Sequence, residues 1–170
     1  MSAALKHRGM GALQENAMQP QTDPQPRSVT LRGLVDYWRT KSAGGTLPGR
    51  RDLDPMEMRA WLAHILLVDV KGEPRRFRWR LVGTHLTEAV GHDSSGLWFE
   101  DVYEGAVLDR FLQIYNQVVD CRDVVRTAGL LYFPKHHDVP AEAVNMPLAS
   151  DGRNVDMVLT GLAIGVPLDD

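Results

Sequence analysis

One cysteine, Cys121, is all this 170-residue chain contains. A lone thiol closes no internal disulfide and excludes any zinc or redox site built on cysteine pairs. No apolar run approaches the ~20 residues that cross a bilayer as a helix, and the N-terminus lacks the apolar stretch of a secretory leader. Basic residues are in short supply too. Nineteen Lys and Arg against 22 Asp and Glu leave a net charge of −3, whereas a general nucleic-acid binder carries a basic excess. The phosphate-gripping G-x-G-x-x-G and the nucleophile elbow G-x-S-x-G are both missing. These absences predict a soluble cytoplasmic protein that neither enters a membrane nor binds nucleic acid. With 44% hydrophobic and 24% charged residues, it has the composition of one globular domain.

What is present is a strongly patterned middle. Residues 76–102, RFRWRLVGTHLTEAVGHDSSGLWFEDV, begin as an alternating strand. Phe77, Trp79 and Leu81 fall on one face; Arg78, Arg80 and Val82 fall on the other. The strand breaks at Gly83 into a short helical turn that Gly91 closes. The polar turn HDSSG and the apolar cluster Leu97, Trp98 and Phe99 follow. A half-buried strand running into short helices suits an α+β sheet with its helices on one face.

Around this middle the chain divides cleanly. Residues 1–27, with Pro20, Pro24 and Pro26 among glutamines, read as a flexible tail. Residues 28–170 read as one domain. Leu31, Leu34, Val35 and Trp38 recur at helical spacing and predict a helix over 30–43, stopped by Gly44-Gly45. Asp54-Pro55-Met56-Glu57 predicts the start of a second helix. Residues 64–70 read as a buried strand that turns through 71–75 into the alternating one, making a hairpin. Val107, Leu108, Phe111, Leu112, Tyr115, Val118 and Val119 predict a longer amphipathic helix. Three strands, 124–133, 141–148 and 155–166, complete the chain. Pro147 is expected near an edge or bulge because it cannot donate to a ladder. The last strand is apolar on both faces and is expected at the centre of the sheet.

Two strands, short helices, one longer helix and three strands resemble a PAS domain. Three segments are similar to a bacterial family of short, often stand-alone PAS proteins: 47–55, 76–96 and 146–165. Leu47, Pro48, Asp54 and Pro55 match the entry motif. Arg80, Gly83, Gly91, Asp93 and Gly96 match the strand-to-helix motif, and Pro147, Leu148 and Gly152 match the closing hairpin. The resemblance implies a five-stranded antiparallel sheet in the order 2-1-5-4-3. It also implies a sensory or regulatory role without naming a ligand. Haem-binding relatives place a histidine on the long helix, and this helix has none. Flavin photosensors need a cysteine on a short helix, and Cys121 instead follows the long one as a small, partly buried thiol. No haem, flavin, metal or other fixed cofactor is therefore expected.

The remaining candidates are weighed on their residues. His136-His137 point to opposite faces if on a strand, and His85 and His92 flank the short helix; none makes a metal cluster. Ser94 and Ser95 beside His92 and Asp93 lack triad geometry and read as a capped turn. Lys71, Arg75, Arg76, Arg78 and Arg80 form a basic hairpin, with Arg80 expected on an internal carboxylate or an anionic ligand. Trp79, Arg80, His85, Trp98, Tyr103, Phe111 and Tyr115 are the candidate ligand-binding residues between sheet and helices. Leu31, Leu34, Val35 and Trp38 are the candidate partner or dimer surface. The function expected is a stand-alone PAS module acting by protein–protein contact or as a homodimer, gated by a small molecule, because no output segment follows the fifth strand. The alternatives are a small pocketed enzyme, with His64, Asp69 and Glu88 as its loose candidates, and a ligand-free adaptor.

Overall fold

In the computed structural model, which describes residues 17–133 and 137–167, one antiparallel sheet separates two apolar layers. The strands are β1 (Gln19–Pro20), β2 (Ile65–Lys71), β3 (Arg76–Val82), β4 (Val125–Phe133), β5 (His137–Leu148) and β6 (Met157–Ile164). Their order is β1-β4-β5-β6-β2-β3. Without the two-residue β1 this is the expected 2-1-5-4-3, with the last long strand in the middle. The strand count is six rather than five because the stretch read as tail joins the sheet. Gln19 pairs with Ala128 and Pro20 with Thr127, and the Gln21 amide donates to the Arg126 carbonyl at 2.9 Å.

On the inner face lie α2 (Thr84–Val90), α3 (Phe99–Val102) and α4 (Gly105–Cys121). On the outer face lies α1 (Val29–Lys41), whose Leu31, Leu34, Val35 and Trp38 are all buried against β5 and β6. Burying four such side chains is worth roughly 6–12 kcal/mol, at about 1.5–3 each. Gly161 of β6 makes room for them: a Cβ there would lie 2.5 Å from Leu34 Cδ2 and 3.0 Å from Leu31 Cδ2. The Trp38 indole donates to the Pro147 carbonyl at 3.0 Å. Pro147 itself sits past the last β4–β5 pair, Val125 with Asn145, so its missing N–H costs the β4 ladder nothing.

A buried ion pair ties the start of α1 to the sheet. Glu142 of β5 and Arg126 of β4 are 1% and 4% exposed at the side chain, with Nε to Oε1 at 2.5 Å. Both Glu142 oxygens also accept backbone amides, from Arg27 and Ser28, at 2.9 Å each. Arg126 Nη1 reaches the Asp23 carbonyl at 3.3 Å. The carboxylate thus satisfies free amides that an N-terminus otherwise leaves orphaned.

Two local expectations are corrected. The helix from Asp54 does not form. Asp54 Oδ1 does accept the Met56 amide at 2.8 Å, but later bonds skip three residues, as from Trp61 to Met58 and His64 to Trp61. Glu57 pairs with Lys41 and Tyr37 instead of reaching back. In the β2–β3 pairing the register slips between Leu67 and Val68, which face Leu81 and Trp79. Arg80 is the extra residue of this bulge, so the alternation reverses after it. Leu81 is 40% exposed, and Val82 turns inward.

Candidate functional site

The inner layer is incompletely filled. Between β3, β6 and the helices lies a cavity of about 210 Å³. Of the seven residues read as ligand-binding, four wall it: Trp79, Tyr103, Phe111 and Tyr115. Their rings meet edge to face or stacked, with centroids 4.4 Å apart for Tyr103 and Phe111 and 6.1 Å for Trp79 and Phe111. Such geometry favours the aromatic quadrupoles and holds the walls in fixed orientations.

The other three lie elsewhere. Arg80, in the bulge, projects outward with its side chain 60% exposed. The internal carboxylate expected to hold it, Asp69, is held mainly by Arg78, at 2.7 Å, with Arg80 3.9 Å away. Trp98 lies under the Arg76 guanidinium, 4.1 Å from ring centroid to Cζ. Arg75 pairs with Asp120 at 2.6 Å and Arg76 with Glu100, so the basic hairpin is largely neutralised on its own surface. His85 packs edge-on to His64, centroids 4.4 Å apart, beside a second cavity of about 260 Å³. Burial, and next the neighbouring His85, push His64 below the ordinary histidine value. Among the described residues no group of three or more His, Cys, Asp or Glu could hold a metal ion. Cys121 is exposed rather than partly buried, because it ends α4 beyond the last turn that faces the sheet.

Polar groups that sequence reading missed complete the aromatic cavity. Asn145 of β5 and Thr160 of β6 are direct cross-strand partners. Thr160 donates to Asn145 Oδ1 at 2.8 Å, and Asn145 Nδ2 donates to the Val125 carbonyl at 3.0 Å. With the Thr160 proton committed, the Tyr115 hydroxyl 3.0 Å away must be the donor to Thr160. Burial raises the Tyr115 and Tyr103 hydroxyls well above the usual phenol range, so both stay protonated. The Trp79 indole nitrogen is buried with no hydrogen-bond partner. The Tyr103 hydroxyl lies close enough for the indole N–H to favour its charged form against the larger effect of burial, without a formed hydrogen bond between them. The signal available in the sequence was a polar residue at an inward position in each of two otherwise apolar strands.

Ala17 and Met18 close the cavity beside Leu130 and Leu131 of β4. They lead directly through β1 to the Glu142-capped start of α1. Ser94 and His92 of the HDSSG turn also reach the cavity, while Asp93 Oδ1 accepts the Ser95 amide at 2.8 Å as a turn cap. The residues of the enzyme alternative stay apart. His64 is at the second cavity, Asp69 is ion-paired, and Glu88 is exposed.

The four residues read as a partner surface are buried within the same chain. No helix among the described residues is long and apolar enough to cross a membrane.

Comparison with curated proteins finds no match. Among solved structures, the chain is similar to a tryptophan-to-alanine variant of the PAS-B domain of Drosophila melanogaster Cycle with bound glycerol. That likeness has a TM-score of 0.44 and 9% identity over 59% of this chain and 98% of the other. A second likeness is to an RNA-binding light-oxygen-voltage receptor, TM-score 0.43 and 14% identity, covering 86% of this chain and 37% of that one. The chain therefore spans about a third of that receptor's length. The PAS domain family matches residues 27–163, most of the chain, and with the sheet order and the helices gathered on one face, the chain belongs to that family.

Proposed function

We infer that this PAS module senses a small molecule in the aromatic cavity and passes the signal on by protein contact or self-association through residues 17–41. PAS domains are in general sensory or regulatory rather than catalytic. The observation that carries the reading is the composition of the cavity wall. Ala17 and Met18 belong to it, and the same stretch of chain becomes α1 after only one short strand. A ligand that presses on this wall acts on the segment that leads into the helix, biasing an equilibrium between two placements of residues 17–28 while α1 stays docked. The reading takes the module to work in the cytoplasm. A filled adaptor core is disfavoured by the cavity and by the orphaned Trp79 N–H.

The buried stripe of α1 is held too strongly to swing free, so a partner engages the exposed side of residues 17–41 or replaces the docking contacts in kind. Native mass spectrometry of freshly purified protein tests the input. Melting shifts across a metabolite panel extend the test, since any ligand of the folded state raises stability by mass action. Hydrogen exchange over residues 17–28, with and without ligand, tests the link. A protein that carries nothing and is stabilised by nothing sinks the sensory reading.

A further inference from the structure

Resting on the reading of the aromatic cavity as a ligand site, we propose that its occupant is a ring-sized aromatic acid, of the arylacetate class. Size is the first argument. An apolar cavity of ~150 Å³ accommodates benzene, so about 210 Å³ takes one ring with a short substituent. Tyr103 and Phe111, stacked at 14° between planes, and the edge of Trp79 present the faces and edges that an aromatic guest prefers.

Charge is the second argument. The residues that line the cavity include Arg110 and His92, and no Asp or Glu. Arg110 stands on α4 next to Phe111, and its side chain makes no ion pair or hydrogen bond with another described residue. A half-buried guanidinium with five donors and no acceptor is matched by a carboxylate, bidentately where the approach allows. An ammonium guest would meet the same cation with nothing to offset the repulsion.

Hydrogen bonding is the third. The Trp79 indole is a donor only. The residue is 4% exposed, lines the cavity and leaves that proton unpaired. An acceptor on the guest supplies what the protein does not. The neighbouring Tyr103 hydroxyl does not complete a hydrogen bond to it, and Tyr115 is turned to donate to Thr160.

The test uses the full chain labelled with ¹⁵N. Its four tryptophans give separate indole N–H resonances, and Trp79→Phe assigns the one of interest. Phenylacetate, 2-phenylethanol, ethylbenzene and phenethylamine are titrated in turn. Phenylacetate is expected to bind at least tenfold more tightly than the alcohol and to move the Trp79 resonance, with the amine not binding. In Arg110→Met the acid falls to the affinity of the alcohol, and unchanged binding of the alcohol certifies the fold. Equal binding of amine and acid overturns the proposal, as does acid binding that ignores Arg110→Met or leaves the Trp79 resonance still. If the alcohol and hydrocarbon bind and the acid does not, the cavity stands as a ligand site and the acid assignment falls. If none of the four binds, the cavity reading falls with it.

Discussion

Glu142→Gln keeps the side chain's shape and removes its charge, which isolates what the buried pair contributes. In the native protein one carboxylate receives the Arg126 guanidinium and two backbone amides, those of Arg27 and Ser28. The substitution leaves Arg126, 4% exposed at its side chain, as an uncompensated buried cation. It also turns an NH₂ group toward donors that need an acceptor. Breaking a buried pair on one side costs about 3–5 kcal/mol, out of a total stability of roughly 5–15 kcal/mol for a domain. At about 2–4 °C per kcal/mol for a chain of this size, the melting temperature should drop by about 6–20 °C. Urea denaturation measures the same loss as a shift in midpoint with the slope unchanged. The double variant R126M/E142Q carries no buried charge and should recover all but about 1–2 kcal/mol, the remainder being weakened capping of α1. A loss below 1 kcal/mol in the single variant, or a double variant no more stable than the single one, would refute the account of the pair as an interdependent unit.

Gly161→Ala should cost about 1–3 kcal/mol by overpacking, because the new methyl lies 2.5 Å from Leu34 Cδ2; adding Leu34→Ala should restore part of it, and a neutral Gly161→Ala would show that α1 docks more loosely. Gly129→Ala should detach the edge strand selectively, since its Cβ would fall 2.6 Å from the backbone of Ala17 and Met18, which cannot rotate aside. Exchange of the Gln21 amide should then quicken at least tenfold while that of Val158 holds; equal quickening at both, or none at Gln21, would contradict the local effect. The lowered pKa of His64 gives a pH dependence of fixed sign. Its contribution is fully present above the unfolded value near ~6.5. As pH falls below that, the unfolded chain takes the proton first, and stability is lost until the lower folded value is passed. His64→Gln should flatten the melting curve against pH across that window, and an unaltered slope would exclude His64 as the source.

The long strands and α4 were legible because their apolar periods are long and their turns are marked by Gly, Asn and Asp; the sheet order came from the resemblance to PAS domains, and only the central place of the last strand from its two apolar faces. The aromatic lining was legible for the same reason: α4 repeats at 107, 111 and 115, and α3 follows a polar turn. The bulge at Arg80 was not, since one inserted residue leaves both halves of the strand alternating correctly and changes only their relation. β1 was hidden because edge pairing of Gln19 and Pro20 depends on backbone bonds to β4, not on apolar side chains. Nothing in the sequence marks Arg126 and Glu142 as a buried pair; it takes the three-dimensional arrival of Arg27 and Ser28 to give the Glu142 carboxylate its further donors. Arg110 was masked by lying one residue before Phe111 on a helix whose polar positions normally face water.

β6 runs for eight residues, Met157–Ile164, and its two faces belong to different tasks. Val158, Thr160 and Leu162 look toward the inner layer, while Leu159 and Gly161 look toward α1. Cavity lining and helix docking are therefore written in interleaved letters of one short word. A lineage can rewrite every second letter to reshape the cavity without disturbing how the helix is seated, and the converse holds for the letters between. What the two sets of side chains on β6 have in common is the strand's backbone, so a change on one face reaches the other through this strand only as a shift of that backbone.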